Sequence, residues 1–259
     1  MIVTTAGRAT SQLVSQAKKL ANKYGLTYKE RNGVSVETMK TLYHDSIVVV
    51  GNEQLFISPL NDNEKLFFHP NLAMVRARRI LKGEVDLLVE AARLDEGMSF
   101  LDCTLGLASD SIIASIAVGE SGLVTGIEGN PLLYLLATEG LSTFSSGIEI
   151  VDQGMRRIKT VHSDHFTFLK QAESNSYDVV YFDPMFQTAI DESHGINPIR
   201  SQAIKENLTE EIIHEAKRVA KKRVVLKDHW KSERFAKYGF LQLKRKTALF
   251  HYGVLEIEN

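Results

Sequence analysis

Apolar positions along this chain follow two different rhythms. From about Glu84 onward, short apolar runs alternate with stretches of helical spacing. Met98–Asp102, Leu123–Glu128, Ile158–His162, Val179–Asp183 and Arg223–Lys227 read as strands. Val85–Ala92, Asp110–Val118, Pro131–Leu141, Phe166–Glu173 and Thr209–Ala220 read as the helices around them. Such strands are apolar on both faces, which predicts a mostly parallel sheet covered by helices on each side. The tail departs from this pattern: Phe240–Lys246 and Leu249–Ile257 read as two strands joined by a tight turn, hence antiparallel.

Before that point the strand–helix alternation is missing. Arg8–Tyr24 carries Leu13, Val14, Ala17, Leu20 and Ala21 at helical spacing and stops at Gly25. Ser35–Leu42 reads as a short helix capped by Ser35, and Ile47–Val50 with Gln54–Ile57 as a hairpin about Gly51-Asn52. Leu66–Phe68 reads as a third strand, and Asn71 as the cap of a helix to about Leu81. Residues 1–84 are therefore read as a small α+β region with a role in substrate recognition, and residues 85–259 as the catalytic domain.

Composition adds little and excludes much. No apolar run approaches the ~20 residues of a membrane span, and the N-terminus lacks a signal-peptide core. The single cysteine, Cys103, forms no internal disulfide or cysteine metal cage; it reads as buried filler in a cytoplasmic protein. Net charge is −1, but basic residues cluster at Arg76–Lys82, Lys217–Arg223 and Lys244–Lys246. Each cluster alone reads as a solvated face; convergence on one cleft would instead mark phosphate contacts.

Ligands of open α/β sheets sit beyond the carboxyl ends of the strands. Asp102, Glu128, Asp164 and Asp183 each follow one of four successive strands. Four acids on one rim repel unless a cation or several donors lie among them. S-adenosyl-L-methionine offers a sulfonium, an ammonium, ribose hydroxyls and an adenine amine. Gly106 permits close backbone approach, and Glu128 lies at the spacing of an acid that takes both ribose hydroxyls. Asp164 either receives the adenine amine or caps the next helix, and His165 is a candidate adenine neighbour. A full G-x-G-x-x-G loop is absent, which weighs against a dinucleotide. No second histidine stands at metal spacing, so no metal site is read. At Tyr181-Phe182-Asp183-Pro184-Met185-Phe186 a buried strand ends in a carboxylate, an open carbonyl and an aromatic ring. That set suits a flat ligand bearing an amino group.

The Asp-Pro-Met-Phe run resembles the Asp/Asn-Pro-Pro-aromatic motif of methyltransferases that modify amino nitrogens. Asp102-x-Thr104-x-Gly106-Leu107-x-x-Asp110, Glu128 with Asn130-Pro131, Val179–Phe186 and Lys222–Lys227 together resemble bacterial methyltransferases of guanine N2 in small-subunit ribosomal RNA. The resemblance spans roughly Leu101–Lys227 and implies a Rossmann-like class I S-adenosylmethionine-dependent methyltransferase sheet ending in an antiparallel strand pair. It implies cofactor contacts from Asp102, Thr104, Gly106, Ser109, Asp110, Glu128, Gly129, Asp164, His165 and Asp183. Asp183 and Pro184 would hold the acceptor and Phe186 would stack on it, with Met185, Arg200 and Lys227 as substrate contacts. The implied partner is ribosomal RNA or the ribosomal subunit. Ala108 stands where the family carries glycine, and the Gln187–Pro198 run is longer and less basic than the family's. A protein amide or small-molecule amine therefore stays open as acceptor, with an oxidoreductase or a non-catalytic RNA-binding module further off.

Overall fold

The computed structural model describes residues 1–184 and 208–258 and builds them around two sheets. The larger has seven strands: β6 (Ser99–Asp102), β7 (Leu123–Glu128), β8 (Lys159–His162), β9 (Tyr177–Phe182), β10 (Ala220–His229), β11 (Leu241–Leu243) and β12 (Phe250–Glu256). Their order is β11-β12-β10-β9-β6-β7-β8, parallel from β10 to β8, with β12 antiparallel to both β10 and β11. The chain leaves β6 toward β7 and β8 on one side and returns to β9 on the other. The strand order thus reverses between β6 and β9, where open sheets form their ligand crevice. The tail pair is shorter than its apolar pattern, because only Leu241–Leu243 pairs with β12 on that edge.

The smaller sheet corrects the reading of the first 84 residues. It contains β1 (Ile2–Thr5), β2 (Thr27–Tyr28), β3 (Ile47–Val50), β4 (Leu55–Ser58) and β5 (Leu66–Phe67), in the order β2-β1-β3-β4-β5. β1 pairs in parallel with both β2 and β3, so a strand–helix alternation is present here too. Its crossovers are α1 (Ser11–Lys23) and α2 (Val36–Tyr43). Two- and four-residue strands are too short to show a period. Helix α1 starts later than the apolar spacing suggests, because the Thr10 hydroxyl accepts from the Leu13 amide at 3.2 Å while Arg8 sits at φ +56°. Ser35 caps α2 as its sequence indicates. Asn71 does not cap α3 (Asn71–Ile80); it is the first helical residue, preceded by Pro70 without a side-chain cap.

Helices α4 (Leu87–Ala92), α5 (Ser109–Val118), α6 (Pro131–Thr143), α7 (Glu149–Arg157), α8 (His165–Gln171), α9 (Glu210–Val219) and α10 (Arg234–Lys237) complete the described residues. Helix α7 escaped the periodicity reading, although Ile148, Val151 and Met155 share one face. Gly154 in its interior masks it, and the structure explains that glycine: a Cβ there would come within 3.2 Å of Ile116.

One apolar cluster runs from Val3, Val48 and Ile57 through Phe68 and Ala73 to Ile112, Leu133, Ala137 and Met155. The first 84 residues are thus packed onto α5, α6 and α7. Gly140 of α6 lies under the Phe68 ring, and a Cβ added there would fall 2.0 Å from that ring. Alanine would gain about 1 kcal/mol of helix propensity, but displacing a ring in a packed core costs ~1–3 kcal/mol. Gly140→Ala is expected to lower the thermal midpoint by several degrees; a rise on thermal denaturation would refute this packing.

Candidate active site

The strand-end acids lie side by side, as the register dictates. Asp102 closes β6 opposite Gly126 of β7 and Tyr181 of β9, while Glu128 closes β7 opposite His162 of β8. What neutralises them differs from the sequence reading. Asp102 is 1% exposed and accepts from the Ser111 hydroxyl at 2.6 Å and the Thr104 amide at 2.9 Å. Burial raises its carboxyl to about 7 against these hydrogen bonds. Its donors come from its own loop and from α5, so its presence requires no sulfonium. Asp164 is the N-cap of α8, accepting from the Thr167 amide at 2.8 Å. Burial pushes its carboxyl up, but the Thr167 hydrogen bonds prevail and hold it below the usual carboxylate range. His165, the first residue of α8, is buried edge-on against Phe182, with ring centres 5.8 Å apart.

Glu128 keeps the stronger claim to a ligand. Its two oxygens accept from the Gly106 and Asn130 amides, each at 2.9 Å. A carboxylate has about four acceptor positions, and the Gly129 amide also bonds it, so capacity remains for a further hydroxyl donor. Burial raises its carboxyl despite the backbone donors. Gly106 sits at φ +52°, which aims its amide at Glu128, and the nearest atom to a Cβ there is 3.9 Å away. Ala108, buried at φ +63°, bears the strain that glycine would avoid. Ser109, the first residue of α5, and Gly129 are half-buried beside this turn. The Gly129 carbonyl accepts from His162 Nε2 at 3.3 Å, and the His162 ring stacks on Tyr134.

Asp183 stands just past β9 at the crevice. Its amide donates to Thr104 Oγ1 at 2.7 Å, and Thr104 in turn hydrogen-bonds Asp102. The threonine of the first motif therefore links the two loops that flank the strand-order reversal. Lys227 of β10 donates to Asp183 at 2.6 Å and to Asp110 at 3.0 Å. Its side chain is 11% exposed, so the residue expected as a substrate contact serves here as an internal counter-ion. Asp110 is likewise withdrawn from the cofactor set, since Arg76, Lys227 and the Tyr181 hydroxyl occupy its oxygens. Burial opposes its charge, but Lys227 and Arg76 hold its carboxyl well below the usual range. Arg76 also makes a two-pronged pair with Asp86, 2.8 Å at each contact. Arg76, Asp86, Tyr181 and Ser111 belong to this network, and the sequence reading gave none of them a role in it. Arg76 stood in a basic cluster and gave no sign of being buried.

The Lys217–Arg223 cluster does not join this crevice. Lys222 and Arg223 lie at the amino end of β10, paired with Asp178 and Glu256, at the edge of the sheet opposite Asp183. Met185, Phe186 and Arg200 lie outside the described residues.

A doubly covered, mostly parallel sheet with an antiparallel β12 and an acid-lined turn at the strand-order reversal defines a Rossmann-like methyltransferase. A structure of a SAM-dependent methyltransferase from Neisseria gonorrhoeae, NGO1261, shares this fold, with a TM-score of 0.64 over 99% of this chain and 96% of that one at 17% identity. The family described as "Putative SAM-dependent methyltransferase" matches residues 38–247, and the chain belongs to it. YpiP of Bacillus subtilis (strain 168) is 49% identical over 255 residues, 98% of this chain and 99% of that protein. Ribosomal RNA small subunit methyltransferase J of Acinetobacter baylyi (strain ATCC 33305 / BD413 / ADP1) is 28% identical over 131 residues, half of this chain and 46% of its own length. The protein is an S-adenosylmethionine-dependent methyltransferase. The open side of Gly106 and the remaining acceptor capacity of Glu128 fit that cofactor's ribose hydroxyls.

Proposed function

We propose that the protein methylates the exocyclic amino group of a base, guanine N2 in small-subunit ribosomal RNA, in the cytoplasm. The observation that carries this reading is the placement of Asp183. Its carboxylate is about one quarter exposed at the crevice, with its backbone tied through Thr104 to the cofactor-side loop. The distant relationship to methyltransferase J supports the choice of acceptor.

When bound, S-adenosylmethionine supplies a methyl on a positively charged sulfur, which leaves with the bonding pair as the amino nitrogen bonds to carbon. Glu128 would hold the ribose hydroxyls, and the Gly106 turn would admit the cofactor against the backbone. Asp183 and the Pro184 carbonyl accept the two amino hydrogens, which turns the nitrogen lone pair toward the methyl. Asp183 is also placed to take the proton that the nitrogen must lose. Lys227 positions that carboxylate. Phe186 is assigned to stack on the base, Met185 to line its pocket and Arg200 to contact phosphate. Most of the rate would come from alignment of nitrogen, carbon and sulfur.

Burial pushes the Asp183 carboxyl up, Lys227 pulls it down and Asp110 pushes it up again, leaving it at about 6. Protonation removes the acceptor, so the rate is expected to fall as pH drops below about 6. Lys227→Gln removes the lowering influence and should move this acid limb to higher pH. A pH–rate profile with the same midpoint in wild type and variant would assign the limb to another group. The reading as a whole is tested by incubating the protein with labelled S-adenosylmethionine and ribosomal RNA lacking its modifications, then mapping the label. Label confined to protein or small amines would favour the other acceptor class, toward which the Gln187–Pro198 sequence leans.

A further inference from the structure

Past Lys227, β10 continues into residues that the assigned reaction does not use. β10 runs on to His229, paired with Phe250 at the start of β12, and the Lys227 ammonium lies 5.2 Å from the Phe250 ring. The next residue, Trp230, is the only tryptophan in the sequence and is 44% exposed. Its indole is a large, flat ring open to solvent just beyond the strand that carries Lys227, available for stacking. Its neighbours are basic. Lys231 lies 4.8 Å from the indole ring centre. β11 runs parallel to β10 because both are antiparallel to β12. Its carboxyl end therefore delivers Lys244, Arg245 and Lys246, all exposed, to the same edge of the sheet.

This surface is held in shape. The Trp230 amide donates to the Leu249 carbonyl at 3.1 Å, and the Trp230 carbonyl accepts from Gln242 Nε2 at 2.8 Å. The same Gln242 amide donates to His251 Nδ1 at 2.8 Å. His251 Nε2 in turn lies within hydrogen-bonding distance of the Arg245 backbone, 3.1 Å from its amide and 3.0 Å from its carbonyl. His251 is 5% exposed. Half-buried Gln242 and buried His251 thus tie the tryptophan turn to the basic turn. An aromatic face beside clustered cations, on a fixed backbone, is what unpaired nucleotides need: a ring to stack on and charges for their phosphates.

We propose that Trp230 and the Lys244–Lys246 turn form a platform for single-stranded RNA, which holds the nucleotides flanking the one presented to Asp183. The proposal rests on the RNA reading of the function and extends it to a second contact. Trp230 would stack on a base, and the turn would engage phosphates without reading sequence.

The lone tryptophan makes the test direct. Full-length protein with S-adenosylhomocysteine is titrated with an unstructured RNA 12-mer while indole emission is followed. Quenching that saturates with RNA binding is expected. Trp230→Ala should weaken RNA affinity by roughly 5- to 100-fold, the range for loss of one stacked base, and Trp230→Phe should restore most of it. Lys244→Gln/Arg245→Gln/Lys246→Gln should lower the slope of log affinity against log salt by about 2, at ~0.7 per lost phosphate contact. Cofactor affinity by calorimetry verifies that each variant is folded. Unchanged emission at saturating RNA, or wild-type RNA affinity in Trp230→Ala, overturns the platform. Absence of RNA binding in wild type overturns it too. Labelled methyl transfer to ribosomal RNA is scored separately, so the platform can fail while the assigned reaction stands.

Discussion

Asp183→Ala is expected to abolish methyl transfer, with turnover down at least ~10²–10³-fold, the usual cost of one preorganised polar group at a reacting centre. The variant should remain folded, and the charge count explains why. Arg76 and Lys227 face three carboxylates, Asp86, Asp110 and Asp183, so removal of Asp183 leaves two cations against two anions. Lys227 keeps Asp110 at 3.0 Å. Glu128 and the Gly106 turn are untouched, so cofactor affinity by calorimetry should change only a few-fold. Single-turnover assays with labelled donor separate chemistry from binding. Turnover at the wild-type rate would remove Asp183 from the mechanism.

The opposite substitution in the same network should leave a different signature. Arg76→Ala leaves Lys227 alone against the three carboxylates and strips Asp86 of its two-pronged partner. The side chains of Arg76, Asp86 and Asp110 are 13%, 9% and 10% exposed, so water cannot easily replace the lost charge. Breaking a buried pair by removing one member costs ~3–5 kcal/mol. At ~2–4 °C per kcal/mol for a chain near this size, the thermal midpoint should fall by about 10 °C. Arg76 also joins α3 to the Asp86 cap of α4 and to α5, so its loss loosens the first 84 residues from the catalytic sheet. Arg76→Lys keeps the charge but not the fork and should lie between the two. A midpoint within 2 °C or so of wild type for Arg76→Ala would show that water or another cation compensates Asp110.

Much of the architecture was legible because helices and strands of ordinary length announce themselves through their periods. β6, β7 and β9 lie where their apolar runs place them, and Ser35, Asn130 and Thr209 cap their helices as short polar side chains should. β1 and β2 were missed because too few residues carry the pattern, and α7 because Gly154 interrupts it. At the site, the strand-end position of Asp102, Glu128, Asp164 and Asp183 could be read directly. Their counter-charges could not. Ser111 faces Asp102 only because α5 folds back over β6, and Lys227 reaches Asp110 and Asp183 only because β10 pairs with β9.

Local sequence thus determined which segments become strands and helices and which acids end the strands, since both depend on side-chain spacing within a few residues. Tertiary structure alone decided which acids remain available to a ligand and which are neutralised from within. Lys227 meets Asp110 across 117 residues of sequence, and Arg76 meets it across 34. Charges so far apart along a chain act on each other only once the sheet order has placed them within a few ångströms, where low polarity strengthens the attraction.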